Sequence, residues 1–226
     1  MELYLMCPGN GDGSKGSNSP DRVNFDWREF RANLFAQEKA GKAESNAHNQ
    51  TGTPQESKPL GLKWAHPIPV PETGCVLVAT EKLDGVRTFE RTVVLLLRSG
   101  TRHPQEGPFG VVINRPLNKK TKLEEFEEVI PGLCFGARNS LDEAAALVKK
   151  GVLKPQDFRF FVGYAGWQLD QLREEIESDY WYVAACSSNL ICGGSSGSSS
   201  ETLWEEVLQL MGGQYSELSR KPKRDV

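Results

Sequence analysis

Between residues 74 and 116, short apolar runs alternate with polar turns. CVLVAT (75–80), TVVLLL (92–97) and GPFGVVIN (107–114) have the length and β-branched content of buried strands. Gly110, inside the third run, marks a close approach of another backbone. Residues 98–106 form the polar turn between the second and third runs, and from 115 to about 131 the pattern is charged and irregular. It recovers with GLCFGA (132–137), a weak strand, and with NSLDEAAALVKKG, a helix that Ser140 and Glu143 cap and Gly151 stops. FRFFVGY (158–164) reads as one strand, and residues 168–177 carry Leu169, Leu172 and Ile176 on one helical face. YWYVAAC (180–186) is again a strand. NLICGG is a short apolar run before a Gly/Ser loop at 193–200, and ETLWEEVLQLMGG is a last helix ended by Gly212 and Gly213. Strands and helices mix without a βαβ rhythm, so the pattern predicts an α+β fold rather than a doubly wound sheet.

The N-terminal third follows other rules. Residues 1–24 are rich in Gly, Ser, Asn and Asp and are expected to be disordered. Within 25–40, Trp27, Phe30, Leu34 and Phe35 share one helical stripe, with Asp26 and Glu29 as a capping box. A polar linker (41–58) leads into PLGLKWAHPIPVPETG, whose prolines favour extended chain. The domain reading is therefore 1–24 disordered, 25–73 a helix and Pro-rich extension, 74–213 the folded domain, and 214–226 a charged, frayed tail.

Charge narrows the function classes. The 226-residue chain carries a net charge of −3, so no large positive field draws it to nucleic acid, and direct nucleic-acid binding is not expected. The basic residues Arg220, Lys221, Lys223 and Arg224 read as a solubilising terminus. No apolar run approaches the roughly 18 residues of a membrane span. The five cysteines (Cys7, Cys75, Cys134, Cys186 and Cys192) include no CxxC, and the three histidines are scattered, so neither a metal site nor a cofactor is expected. The cysteines are expected to be reduced.

Three segments in order carry a resemblance. GVVINRPL (110–117) follows the TVVLLL run, VGYAGWQLDQLREEI (162–176) comes later, and DYWYV (179–183) lies just behind it. This combination resembles the AlgH-like family of bacteria and plants over about residues 74–213. The resemblance implies a bifurcated β-sheet wrapped into a pseudo-barrel and flanked by helices. The family carries a transcriptional-regulator label without an established biochemical activity, so the resemblance implies no mechanism. DWREFRANLFAQEK is similar to the extension of plant members, which implies the chloroplast. The chain shows no clear transit peptide, and the cytoplasm is the other expectation. Members follow the NRPL turn with a Gly-Gly-Pro motif that does not occur between 117 and 133 here. The resemblance therefore implies a shortened form, as an alternative transcript would give, with several dozen residues missing near 118–133. Exposed sheet edges and an uncovered apolar face would follow.

The candidate site residues lie at two turns. At the GYAGW turn, Gly163 and Gly166 allow close approach, Tyr164 and Trp167 offer rings for a planar ligand, and a following helix offers backbone N–H groups to an anion. The same residues also suit a tight corner in a core. At the NRPL turn, Asn114 can bond local backbone and Arg115 can clamp a carboxylate or phosphate, or else pair with a nearby glutamate. Gln171 and the acids Asp170, Glu174 and Glu175 lie on the helix, where the acids read as a solvated face. No catalytic residue is assigned. The expectation is a non-catalytic binding or regulatory module whose partner is a protein or a small anionic ligand. The alternative is an enzyme acting on an anionic small metabolite, with Arg115 as its clamp.

Overall fold

The computed structural model describes residues 3–6, 27–45, 60–100, 107–115, 124–131, 133–137, 141–161, 163–193 and 202–223. Along the chain come β1 (Leu3–Met6), α1 (Trp27–Ser45), β2 (Ala65–Pro67), β3 (Val76–Ala79), β4 (Val93–Arg98) and β5 (Phe109–Val112). Then follow β6 (Glu124–Ile130), β7 (Leu133–Ala137), α2 (Leu141–Lys149), β8 (Phe158–Phe161) and β9 (Tyr164–Gly166). The C-terminal part holds α3 (Gln171–Glu177), β10 (Trp181–Cys186), α4 (Ser188–Cys192), α5 (Leu203–Met211) and α6 (Gly213–Arg220). The strands form two antiparallel sheets. One has six strands in the order β2-β10-β3-β4-β5-β9, the other four in the order β6-β7-β1-β8. The α+β expectation is met.

The six-stranded sheet is apolar on both faces, because its middle strands are unbroken apolar runs. Val76, Val78, Val93, Leu95, Leu97, Val111 and Ile113 point to one face. There they pack with Leu133, Phe135 and Phe161 of the smaller sheet and with α5 through Leu203, Trp204, Val207, Leu208 and Met211. The intervening Leu77, Ala79, Val94, Leu96 and Val112 point to the other face, beside Trp167, Leu172, Trp181 and Val183. Gly110 allows the close approach expected of it: a Cβ there would lie 2.7 Å from the Leu95 carbonyl oxygen across the sheet.

Several expectations change. Leu3–Met6 are a strand rather than disordered chain, because β7 and β8 both supply pairing edges. The acidic EEFEEVI, read as irregular, is β6; it pairs with β7 and buries Val129 and Ile130. FRFFVGY is not one strand: β8 ends at Phe161 and β9 begins at Tyr164 in the other sheet. NLIC is helical, with the Ser187 hydroxyl accepting from the Leu190 amide. The tail is docked rather than frayed: α6 continues from Gly212, Lys221 pairs with Glu81, and Lys223 pairs with Glu90, whose carboxyl it holds below the usual range. Asp26, Ser140, Pro116, His103 and the 194–200 loop lie outside the described residues.

The α1 stripe is also reassigned. Trp27, Phe30 and Leu34 are 60%, 38% and 44% exposed. The helix docks instead through Ala32, half-buried Phe35 and two cations. Buried Arg28 donates to the carbonyls of Gly74 (3.2 Å) and Cys186 (2.5 Å) and lies over the Trp64 ring, while Arg31 forks onto Glu72. A buried guanidinium is tolerated when its donors are met by carbonyls, and these tie the helix to the sheet ends.

The cysteines do not all stay reduced. Cys192 is disulfide-bonded to a partner outside the described residues, while Cys75, Cys134 and Cys186 are free. Complete burial pushes the thiols of Cys75 and Cys186 up to about 12, so neither is a nucleophile at neutral pH.

Candidate functional site

The GYAGW segment builds a pocket by strand alternation. In β9, Ala165 is buried while its neighbours Tyr164 and Gly166 are exposed. Ala165 and Trp167 join the core layer that holds Leu172 and Trp181. The chain then turns at 169–170 into α3, whose Gln171 and Glu175 sit one helical turn apart on one face. The result is a cavity of about 350 Å³ lined by Leu83, Phe89, Trp167, Gln171, Glu175 and Tyr180, together with Ala165 and Gly166.

Glu175 organises this pocket. Its Oε2 accepts from the indole N–H of Trp167 (2.9 Å) and of Trp181 (2.7 Å), and its Oε1 accepts from Gln171 Nε2 (2.9 Å). The two indoles stand edge to face with centroids 6.1 Å apart, and Phe89 meets Trp181 edge-on at 5.8 Å. One carboxylate thus fixes two rings that would otherwise carry unpaired N–H groups. All three donors are neutral, so these bonds bring no positive charge to the carboxylate. Among the described residues, no lysine or arginine lines the cavity.

The second turn serves this pocket indirectly. Asn114 is buried; its Oδ1 accepts from the Val93 amide (2.9 Å) and its Nδ2 donates to the Arg91 carbonyl (2.9 Å). Arg91 has φ +48°, a left-handed conformation that this bond helps to hold. Arg115 donates to the carbonyls of Arg87 (3.1 Å), Thr88 (3.1 Å) and Glu90 (2.8 Å). Those carbonyls bracket Phe89, a pocket residue. Arg115 is therefore placed as a clamp on the pocket loop, and its fork meets main chain.

Each expected site residue now has a place. Trp167, Gln171 and Gly166 line the cavity. Gly163 is a packed corner: its carbonyl accepts from the Val112 amide, and a Cβ would come within 3.1 Å of the Val112 Cβ. Tyr164, 51% exposed, is absent from the cavity wall and stands 6.0 Å from Phe109, so it and Trp167 are not two jaws of one clamp. The start of α3 does not offer an anion cradle, because Asp170 stands at its N-cap and Glu174 in its first turn. Glu175 escaped the sequence reading as one acid among several. The signal was its spacing, i+4 from Gln171 and i+8 from Trp167, which returns it to the aromatic face. Among the described residues, no group of three or more His, Cys, Asp or Glu could hold a metal ion.

Comparisons place this architecture among known proteins. The family model described as AlgH-like matches residues 117–216. A UPF0301 protein of Cytophaga hutchinsonii is 30% identical over 178 aligned positions, covering 65% of this chain and 93% of that protein. A UPF0301 protein of Chlorobium chlorochromatii is 27% identical over 168 positions, covering 60% and 84%. The crystal structure of protein DIP2367 from Corynebacterium diphtheriae shares the fold with a TM-score of 0.50 at 17% identity, covering 69% of this chain and 94% of that one.

Proposed function

The chain belongs to the AlgH-like family, and we propose that it is a non-catalytic binding module whose aromatic pocket receives a basic side chain of a protein partner. The observation that carries this reading is Glu175. Among the described residues it is the one charged group on the cavity wall, its three hydrogen-bond donors are neutral, and Trp167, Tyr180 and Phe89 share that wall. A lysine or arginine would meet both the carboxylate and the ring faces. The surroundings favour a protein over a free metabolite: Val86, Leu169 and Tyr180, next to or within the lining, are large apolar side chains left exposed. The expected anionic ligand loses its support, since Arg115 donates to three carbonyls and the described lining holds no cation. The alternative of an enzyme acting on an anionic metabolite loses its clamp with it.

The test is a titration with two otherwise identical hexapeptides, one carrying a central lysine and one a central glutamate, followed by tryptophan emission. The lysine peptide is expected to bind at least about tenfold tighter. Glu175→Gln, which keeps an accepting oxygen and removes the charge, is expected to erase that preference. Equal binding of both peptides, or a preference that survives Glu175→Gln, rejects the proposal.

A further inference from the structure

The four-stranded sheet contains a strand that comes from far away in sequence. β7 and β8 are joined through α2, yet they do not pair with one another; β1 lies between them. Leu3 to Met6 run antiparallel to β7 in the register Leu3–Ala137 to Met6–Cys134, and antiparallel to β8 in the register Leu3–Phe161 to Met6–Phe158. β7 and β8 are therefore parallel and two strand spacings, about 10 Å, apart, too far for their backbones to bond. β1 is also the only strand beside β8 among the described residues. Without it, β8 has no ladder and β7 has an open inner edge. Unpaired backbone edges of that kind are templates for an added strand.

We propose that the gap between β7 and β8 is a strand-acceptor site, that Leu3–Met6 is its donor, and that the same segment of a second copy can fill it. Two observations beyond the pairing support this. Twenty residues separate Met6 from Trp27, the first residue of α1. With the Cys192 disulfide reduced, such a connection reaches roughly 70 Å when fully extended, enough to deliver the strand to a neighbouring molecule. The Chlorobium chlorochromatii match runs over 168 aligned positions while using 60% of this 226-residue chain, so that relative has aligned positions for which this chain has no residue. A donor recruited from the N-terminus fits a family domain that is shorter than its relatives. The site is independent of the Glu175 pocket and stands or falls without it.

The probe is a labelled peptide of residues 1–6, MELYLM, used under a thiol reductant with two proteins. One is the full chain; the other lacks residues 2–6. The shortened variant is expected to bind the peptide one to one. The full chain is expected to bind at least about tenfold more weakly, because its own tethered strand competes at high effective concentration. Hydrogen exchange supplies the second readout: residues 133–137 and 158–161 lose protection in the shortened variant and regain it with peptide, while 76–79 and 93–98 stay protected. Absence of peptide binding together with unchanged exchange at 133–137 and 158–161 overturns the proposal. Should the shortened variant not fold, a full chain with a protease site inserted between residues 8 and 24 is cut after folding. Exchange of the labelled peptide into the cut protein then supports the proposal, and failure to exchange overturns it.

Discussion

The six-stranded sheet takes its middle strands, β10, β3, β4 and β5, from contiguous apolar runs, whereas the four-stranded sheet takes β1 from the N-terminus and β6 from a run of acids. In the first, Val76 to Ala79 and Val93 to Leu96 are all fully buried, and their side chains pack on two faces. Each strand there would be extended and buried in almost any pairing. In the second, the strands are made by their neighbours. EEFEEVI is extended because β7 offers a ladder and because Val129 and Ile130 reach the shared core. The contrast teaches that burial fixes the larger sheet and backbone pairing completes the smaller one.

The sharpest way to break that contrast is a cavity in the larger sheet. Leu95 is fully buried in β4 and packs with residues of both sheets. Leu95→Ala is expected to cost about 2–5 kcal/mol, read as a lower urea midpoint with near-ultraviolet dichroism and fluorescence moving together. An unchanged midpoint would mean that the core lies elsewhere. Asn114→Ala comes next, at about 1–3 kcal/mol. It leaves the Val93 amide unpaired in the interior and frees Arg91 from its left-handed backbone. Loss of amide protection confined to Val93 with no change in midpoint would show that water replaces the carboxamide.

The third expected effect is a pH dependence at the edge of the six-stranded sheet. His66 in β2 is buried, donates from Nδ1 to the Pro67 carbonyl at 3.1 Å, and stacks between Phe35 and Trp64. Burial is the main reason its pKa falls below the ordinary 6.5; Arg31 and Arg28 lower it further, while the Pro67 bond and Glu72 oppose them. The unfolded chain therefore binds a proton near 6.5 that the folded chain refuses. Stability is full above that pH and declines as the pH falls below it toward the folded-state pKa. Denaturant midpoints at pH 7.5 and 5.5 should differ in the wild type and differ less in His66→Phe. An equal pH response in the two proteins would show that other groups govern it.

How much of this was legible follows from the same physics. The four middle strands of the larger sheet, the α2 and α5 helices and the close approach at Gly110 could be read, because each rests on local burial or local geometry. The Trp27–Phe30–Leu34 stripe misled, since α1 is held by Arg28 and Arg31 through carbonyls and a carboxylate that no periodicity reveals. β1 was missed because four residues carry no periodic signal and their partners lie more than a hundred residues away. The FRFFVGY run hid a change of sheet, because both halves are apolar enough to be buried anywhere. In the site, Trp167 and Gln171 were found by their turn, while Glu175 needed the helix to point it back at two indoles.

The smallest expected effect separates the two readings of Arg115. The residue is exposed, and the three carbonyls it holds can be hydrated when it leaves, so Arg115→Ala should cost no more than about 1 kcal/mol. Its consequence should be local: residues 87–90, and with them Phe89, lose the fork that fixes them beside the pocket. Amide exchange at 86–90 is expected to rise several-fold while β4 and β5 stay protected, and the lysine hexapeptide should bind more weakly through a faster off-rate. A ligand clamp would behave in the opposite way, leaving the exchange of 86–90 unchanged and removing the response to an anionic probe such as inorganic phosphate. The same variant thus decides whether the NRPL turn recognises a ligand itself or serves the aromatic pocket by holding its loop.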